Sequence, residues 1–222
     1  MPEQPDLPRD AELVPRLRRR DEAAFALVLD AWSGGMTRVA RSIVSTDASA
    51  DEVVQDAWLA VIRGIGSFEA RSSLKTWVYR ILVNAAKRRA MREGRHMSWS
   101  LVPGEDDTPT VDPSRFGGPG DQFPGHWLAF PAPWPSPEQG TLSGEVNVQV
   151  EAALAGLPER QRVVITLRDV EGYSSEEVCS ILQISAANQR VLLHRARAFV
   201  RGKLEEYFMA SEATDIGTEV RP

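Results

Sequence analysis

At 222 residues, 42% hydrophobic and 26% charged, the chain is long enough for one large core or two small ones and has an ordinary soluble composition. Its formal net charge of −5 excludes a surface coated throughout with nucleic-acid-binding charge, though not local basic patches. The lone cysteine, Cys179, excludes an internal disulfide and a thiolate metal cluster, and no apolar run approaches the roughly 18 residues of a membrane span. The opening MPEQPDLPRDAE is acidic and proline-rich, unlike a signal peptide, so a soluble chain in a reducing, cytoplasmic compartment without membrane contact is expected.

A first helical block is predicted over residues 11–97. Leu17, Ala24, Val28 and Trp32 fall near helical spacing, and Ser33-Gly34-Gly35 is expected to break that helix. Met36, Val39, Ala40, Ile43 and Val44 then follow the i, i+3, i+4, i+7, i+8 pattern. Ser49 with Glu52 has capping-box spacing. The helix it opens buries Val53, Ala57, Ala60 and Val61, and its other face carries Asp51, Glu52, Gln55 and Asp56. The loop GIGSFEARSS leads into a helix from Ser73, with Leu74, Trp77, Val78, Ile81 and Ala85 on one side and Arg80, Asn84, Lys87 and Arg88 on the other.

Residues 98–145 have no helical or strand period and hold seven acidic residues against one basic, Arg115. An irregular loop of that length does not belong inside a compact domain, so these residues read as an extended linker between two domains. Its acidic start (Glu105, Asp106, Asp107) gives way to Phe123, Trp127, Phe130 and Trp134 spaced by prolines. A second helical block follows over 146–208. Pro158 suits a first helical position, Val163, Val164, Leu167 and Val170 form a stripe, and Gly172 closes it. Ser174 with Glu177 makes another capping box and opens a short helix with Val178, Ile181 and Leu182 inward. Gln183-Ile184-Ser185 turns the chain into a long helix from Ala186, apolar at Leu192, Leu193, Ala196, Val200 and Leu204. Residues 1–10 and 209–222 read as irregular ends, and the fold class is all-α.

A short helix, a tight turn and a longer basic helix have the spacing of a helix-turn-helix, the alternative being a plain helical hairpin with a solvated basic face. Asn188, Gln189 and Arg190 open the second helix and are side-chain types that pair with adenine and guanine edges. Arg195, Arg197, Arg201 and Lys203 continue along it toward phosphates. Earlier in the chain, Lys75, Arg80, Lys87, Arg88, Arg89, Arg92 and Arg95 face a single acid, Glu93, and are interleaved with Phe68, Trp77 and Tyr79. Cations that track a backbone among rings that stack on bases suit melted DNA. The spacing of Trp77 equally places its ring in a core, and Arg88 and Arg89 equally complement a helix dipole. The acidic face at Asp51, Glu52 and Asp56 is either solvated or a docking surface with Trp58 as anchor. There is no glycine-rich phosphate loop and no nucleophile motif, and His96, His126 and His194 are isolated, so no catalysis, metal or cofactor is expected.

In their order these segments resemble the extracytoplasmic-function sigma factors of bacterial RNA polymerase. ADEVVQDAWLAV is similar to the helix with which that family docks on the polymerase clamp, and FEARSSLKTWVYRILVNAAKRR to its minus-ten recognition segment. LPERQRVVITLRDVEGYSSEEVCSILQIS with NQRVLLHRARAFVRGKL is similar to its minus-thirty-five reader. The resemblance implies a non-catalytic promoter-specificity subunit that docks through Asp51, Glu52, Gln55, Asp56 and Trp58. Minus-ten recognition would fall to Phe68, Arg71, Ser73, Lys75, Thr76, Trp77, Arg80, Asn84 and Arg88, with residues 66–73 capturing a flipped base. Minus-thirty-five recognition would fall to Ser185, Ala187, Asn188, Gln189, Arg190, His194, Arg195 and Arg197. The implied partners are core RNA polymerase, promoter DNA as duplex and as melted non-template strand, and an anti-sigma factor. The linker would thread the polymerase cleft. The chain departs from the family pattern at Gln183, where glycine is usual, at Ala187-Asn188-Gln189-Arg190, and in its longer linker. A stand-alone helix-turn-helix regulator is the other reading, and specific duplex binding without polymerase would be its signature.

Overall fold

The computed structural model describes residues 7–94 and 143–218, with side chains over 7–94 and 146–209. The expected linker, with Phe123, Trp127, Phe130 and Trp134, lies outside the described residues, as do His96 and His126. All regular structure among the described residues is helical: α1 (Asp10–Arg18), α2 (Glu22–Arg41), α3 (Asp47–Gly64), α4 (Leu74–Arg92), α5 (Ser143–Ala155), α6 (Glu159–Ile165), α7 (Ser175–Leu182) and α8 (Ala186–Thr218). A 3-10 turn at Ile65–Ser67 follows α3, and a π-helical turn at Thr166–Val170 follows α6.

Two compact units emerge: Met1–Ser100 with Val163–Arg190, and Leu101–Arg162 with Val191–Pro222. The first takes in part of the expected second block, because α7 packs on α4. Its core is built by α2, α3 and α4 around Met36, Val39, Val53, Ala57, Leu74, Leu82 and Val83, each at most 2% exposed. Trp32 and Trp58 stack across α2 and α3 with ring centroids 6.5 Å apart and planes within 9°. Burial of each such aliphatic side chain is worth about 1.5–3 kcal/mol, which is why these helices hold together despite modest propensities. In the second unit, Ala153 and Leu157 are buried with Leu192, Ala196 and Leu204. Gly156 stands against the Phe199 ring, where a Cβ would make an ordinary contact 3.4 Å from its Cζ.

Several local expectations are corrected. Ser33-Gly34-Gly35 does not break α2, which runs unbroken to Arg41. A glycine inside a helix costs about 1 kcal/mol, and tertiary packing on Trp32, Met36 and Val39 outweighs that. Ser49 is not the cap of α3. The helix starts a turn earlier, where Thr46 Oγ1 accepts from Ser49 N at 3.1 Å, and Ser49 itself is buried. Val170 leaves the stripe because the π-helical turn shifts the phase, leaving it 42% exposed. Residues 209–218 continue α8 rather than fraying. The capping box of Ser174 and Glu177 is present, and Gly172 takes φ +75°, a left-handed stop that glycine holds without strain.

Candidate nucleic-acid interface

Two hydrogen bonds fix the N-terminus of α4. Ser73 Oγ accepts from Thr76 N at 3.1 Å, and Asp10 Oδ2, reaching over from α1, accepts from Leu74 N at 2.7 Å. Ahead of it, Phe68 is buried against Trp77, with centroids 5.2 Å apart, while Glu69, Ala70, Arg71 and Ser73 are exposed. Phe68 is therefore a core residue that shapes the loop and not a stacking platform, a correction to the expected minus-ten set. Arg71 pairs with Glu69 at 2.5 Å on the open surface.

The polar side of α4 is less open than its sequence suggests. Lys75, Trp77, Arg80, Asn84 and Lys87 are half-buried and Arg88 is exposed. Thr76 is buried and donates through Oγ1 to Glu177 Oε1 at 3.2 Å, so its expected DNA contact is not available in this arrangement. Glu177 is the capping-box carboxylate of α7, so one side chain closes that helix start and ties it to α4. Tyr79 and Tyr173 pack with centroids 5.0 Å apart, and Lys75 Nζ sits 4.9 Å from the Tyr173 ring, a cation–π distance. Burial raises both hydroxyl pKa values. Lys87 Nζ donates to Leu182 O at 3.1 Å, and burial lowers its pKa to about 8. Further along, Arg38 Nε donates to Glu171 Oε1 at 2.7 Å, with the Glu171 side chain only 2% exposed. A Cβ built at Gly35 would land on the Glu171 carboxylate and on the Tyr79 hydroxyl, so glycine is what lets residue 171 seat there.

Arg89 does not face outward. Its Nε donates to Glu93 at 2.8 Å, Nη1 to Glu52 at 2.5 Å and Nη2 to Ser49 at 3.1 Å, tying the end of α4 to the start of α3. Hydrogen bonds from Ser49, then Arg89, then Ser45, hold the Glu93 pKa down at about 2. With the folded value below the ordinary 4.5, the stabilisation is complete above about pH 4.5 and is lost as pH falls toward 2. Glu93→Gln should lower the melting temperature by roughly 2–4 °C at neutral pH. The gap to wild type should close between pH 4.5 and 2; a gap constant over that range would assign the loss to packing.

On α3, Asp51, Glu52, Gln55 and Asp56 are exposed as expected. Trp58 is not their anchor. It is 7% exposed and stacked on Trp32, and the apolar residues that share the acidic face are Leu59, 49% exposed, and Ile62, 37% exposed.

Ser185 Oγ accepts from Asn188 N at 3.2 Å and caps α8, and Gln183 takes the left-handed conformation at φ 60°, doing the work of the usual glycine. Asn188 and Gln189 turn inward, 6% and 1% exposed, so the expectation that both read bases is corrected. The exposed face of the same turns carries Ala187, Arg190, His194 and Arg197, with Arg195 half-buried. Among the described residues no group of three His, Cys, Asp or Glu is placed to hold a metal ion, and no helix is long and apolar enough to cross a membrane.

Residues 29–96 match Sigma-70 region 2, and residues 147–200 match Sigma-70 region 4. The chain is similar to the RNA polymerase sigma-H factor of Pseudomonas aeruginosa, 29% identical over 89% of this chain and 94% of that protein. It is also similar to the ECF RNA polymerase sigma-E factor of Escherichia coli, 30% identical over 88% of this chain and 94% of that protein. Among solved structures its fold resembles CnrH in complex with the cytosolic domain of CnrY, with a TM-score of 0.56 at 19% identity over 89% of this chain and 97% of that one.

Proposed function

The chain belongs to the extracytoplasmic-function sigma factors and is a promoter-specificity subunit of RNA polymerase, and from that premise we propose how its surfaces divide the work. Residues 11–97 form the minus-ten and polymerase-docking domain, residues 146–208 the minus-thirty-five domain, and 98–145 the linker. On α3, Asp51, Glu52, Gln55 and Asp56 meet a basic surface of core polymerase, and Leu59 and Ile62 supply the apolar contact. The exposed loop residues Arg71 and Ser73 capture a base of the minus-ten element, and Lys75, Trp77, Arg80, Asn84 and Arg88 follow the opened strand. Arg190 reads a base edge in the minus-thirty-five element, flanked by Ser185, Ala187, His194, Arg195 and Arg197 at the backbone. The observation that carries this reading is that α4 and α8, in the segments matched to regions 2 and 4, each turn cations outward. Two weak readers on one tether then gain through effective concentration.

The protein acts in the cytoplasm, catalyses no reaction of its own and requires no cofactor. Its partners are core RNA polymerase, promoter DNA and an anti-sigma factor. Runoff transcription with core polymerase on genomic fragments, with sequenced 5′ ends, tests the reading. Starts downstream of one shared pair of promoter motifs are expected, and no transcript above core alone would overturn it.

Arg190→Ala should weaken upstream promoter recognition by about 1–3 kcal/mol. Its guanidinium is exposed, with Nε resting 3.3 Å from Ala186 O, so the loss would come from DNA contact and not from the fold. An equal loss on scrambled upstream sequence would make it a phosphate contact instead.

A further inference from the structure

One helix holds both ends of the loop between α3 and α4. At its start Arg18 Nη2 donates to Phe68 O at 2.6 Å, and at its end Asp10 Oδ2 accepts from Leu74 N at 2.7 Å. Both side chains belong to α1, which lies ahead of the segment matched to Sigma-70 region 2. α1 packs both on α2 and on the 3-10 turn at Ile65–Ser67 that opens the loop. Leu13, Val14 and Leu17 are buried, and Arg16 Nε pairs with Asp21 at 2.8 Å across the turn into α2. Asp10 and Arg18 are eight residues apart on α1, about 12 Å at 1.5 Å per residue, so one short helix reaches both ends of the loop.

The loop has little of its own to hold it. Residues 69–73 bury no side chain, and Ala70 sits at φ 54°, a left-handed conformation that a non-glycine residue does not favour by itself. Its shape is imposed by its flanks: Phe68 seated on Trp77, Ser73 capping α4, and the two contacts from α1. A charged donor on a carbonyl and a carboxylate on a helix N-terminus are the stronger kind of hydrogen bond, and both resist the loop's drift.

We infer that Asp10 and Arg18 are positioning residues that set the geometry of loop 66–73 and through it the base selectivity at the captured minus-ten position, which rests on the proposed base-capturing role of that loop. Neither residue touches DNA in this scheme; each acts through the backbone it holds.

Holoenzyme assembled with core RNA polymerase is incubated with fork-junction oligonucleotides whose non-template minus-ten tract is randomised, and the bound fraction is sequenced. Wild type should prefer one base at the captured position by about tenfold, the size of one good base contact. In Asp10→Ala/Arg18→Ala that preference should fall below about threefold, while preferences at the other positions and upstream duplex binding stay at wild-type values. Asp10→Asn keeps an accepting oxygen for Leu74 N and should retain the preference. Thermal melting of the variants accompanies the selection. An unchanged profile in the folded double variant, uniform flattening at every position, or an Asp10→Asn profile as flat as that of alanine would each overturn the inference. A wild-type profile with no preference at any position would instead overturn the loop's proposed role.

Discussion

Reversing Asp51 and Asp56 to lysine will abolish retention of the protein on core RNA polymerase while leaving its fold intact. Both carboxylates are exposed on α3. They stand beside Leu59 and Ile62, whose exposed side chains give the acidic patch an apolar centre. Charge pairs that close at an interface carry coupling energies of about 1.5–7 kcal/mol, and reversal replaces attraction by repulsion. A loss of at least about a hundredfold in affinity is therefore expected. Surface substitutions away from packed features change stability by only about 0.5 kcal/mol, so the melting temperature should hardly move. Glu52 is the wrong residue for this test, because it also anchors Arg89 at the end of α4. Trp58→Ala supplies the contrast: emptying a stacked, buried indole costs about 3–5 kcal/mol and should destabilise the protein as a whole. Unchanged co-purification of Asp51→Lys/Asp56→Lys with core polymerase would remove α3 from the docking surface.

The helical periods of the sequence anticipate the all-α fold, the Ser73 start of α4, the second capping box and the inward face of α7. The misplaced side chains have identifiable causes. Asn188 and Gln189 lie one turn ahead of Leu192 and Leu193, so the apolar stripe of α8 extended by i−4 reaches both, and their position on that stripe outweighs their base-pairing chemistry. Trp58 lies on the Val54–Val61 stripe in the same way. The burial of Thr76 and the seating of Gly35 were not legible. Both depend on residues 171–182, far along the chain from α2 and α4. Periodicity within one helix carries no information about a partner that distant. This also explains why α4 buries residues on so many sides. One side faces α2 and α3, and the other is covered by α7.

That cover leads to the second large effect: Gly35→Ala should raise the affinity of the isolated protein for fork-junction DNA by about ten- to a hundredfold. The added methyl would occupy the place of the Glu171 carboxylate, which is almost fully buried and bound to Arg38. A hydrogen bond to a charged group is worth about 1.5–3 kcal/mol, and losing one from the covered state alone shifts the population toward the open state by that factor. Alanine is the better helix former in α2, but its Cβ would also crowd the buried Tyr79 hydroxyl. Thermal melting must therefore first show the variant folded, and Glu171→Ala reads the lost seat of residue 171 without that clash. Opening has a second advantage. Lys87, lowered to about pKa 8 by burial under Leu182, regains water when α7 leaves. Glu171→Ala removes the same contact from the other side. The two variants should therefore act on one interaction, and their double combination should fall well short of the sum. The gain should appear on melted DNA and grow at low salt, because the uncovered face carries Lys75, Arg80 and Lys87. If Gly35→Ala binds fork-junction DNA no better than wild type while hydrogen exchange shows α7 released, α4 is not the surface that meets the opened strand. If α7 stays protected, the seat at Gly35 does not hold it.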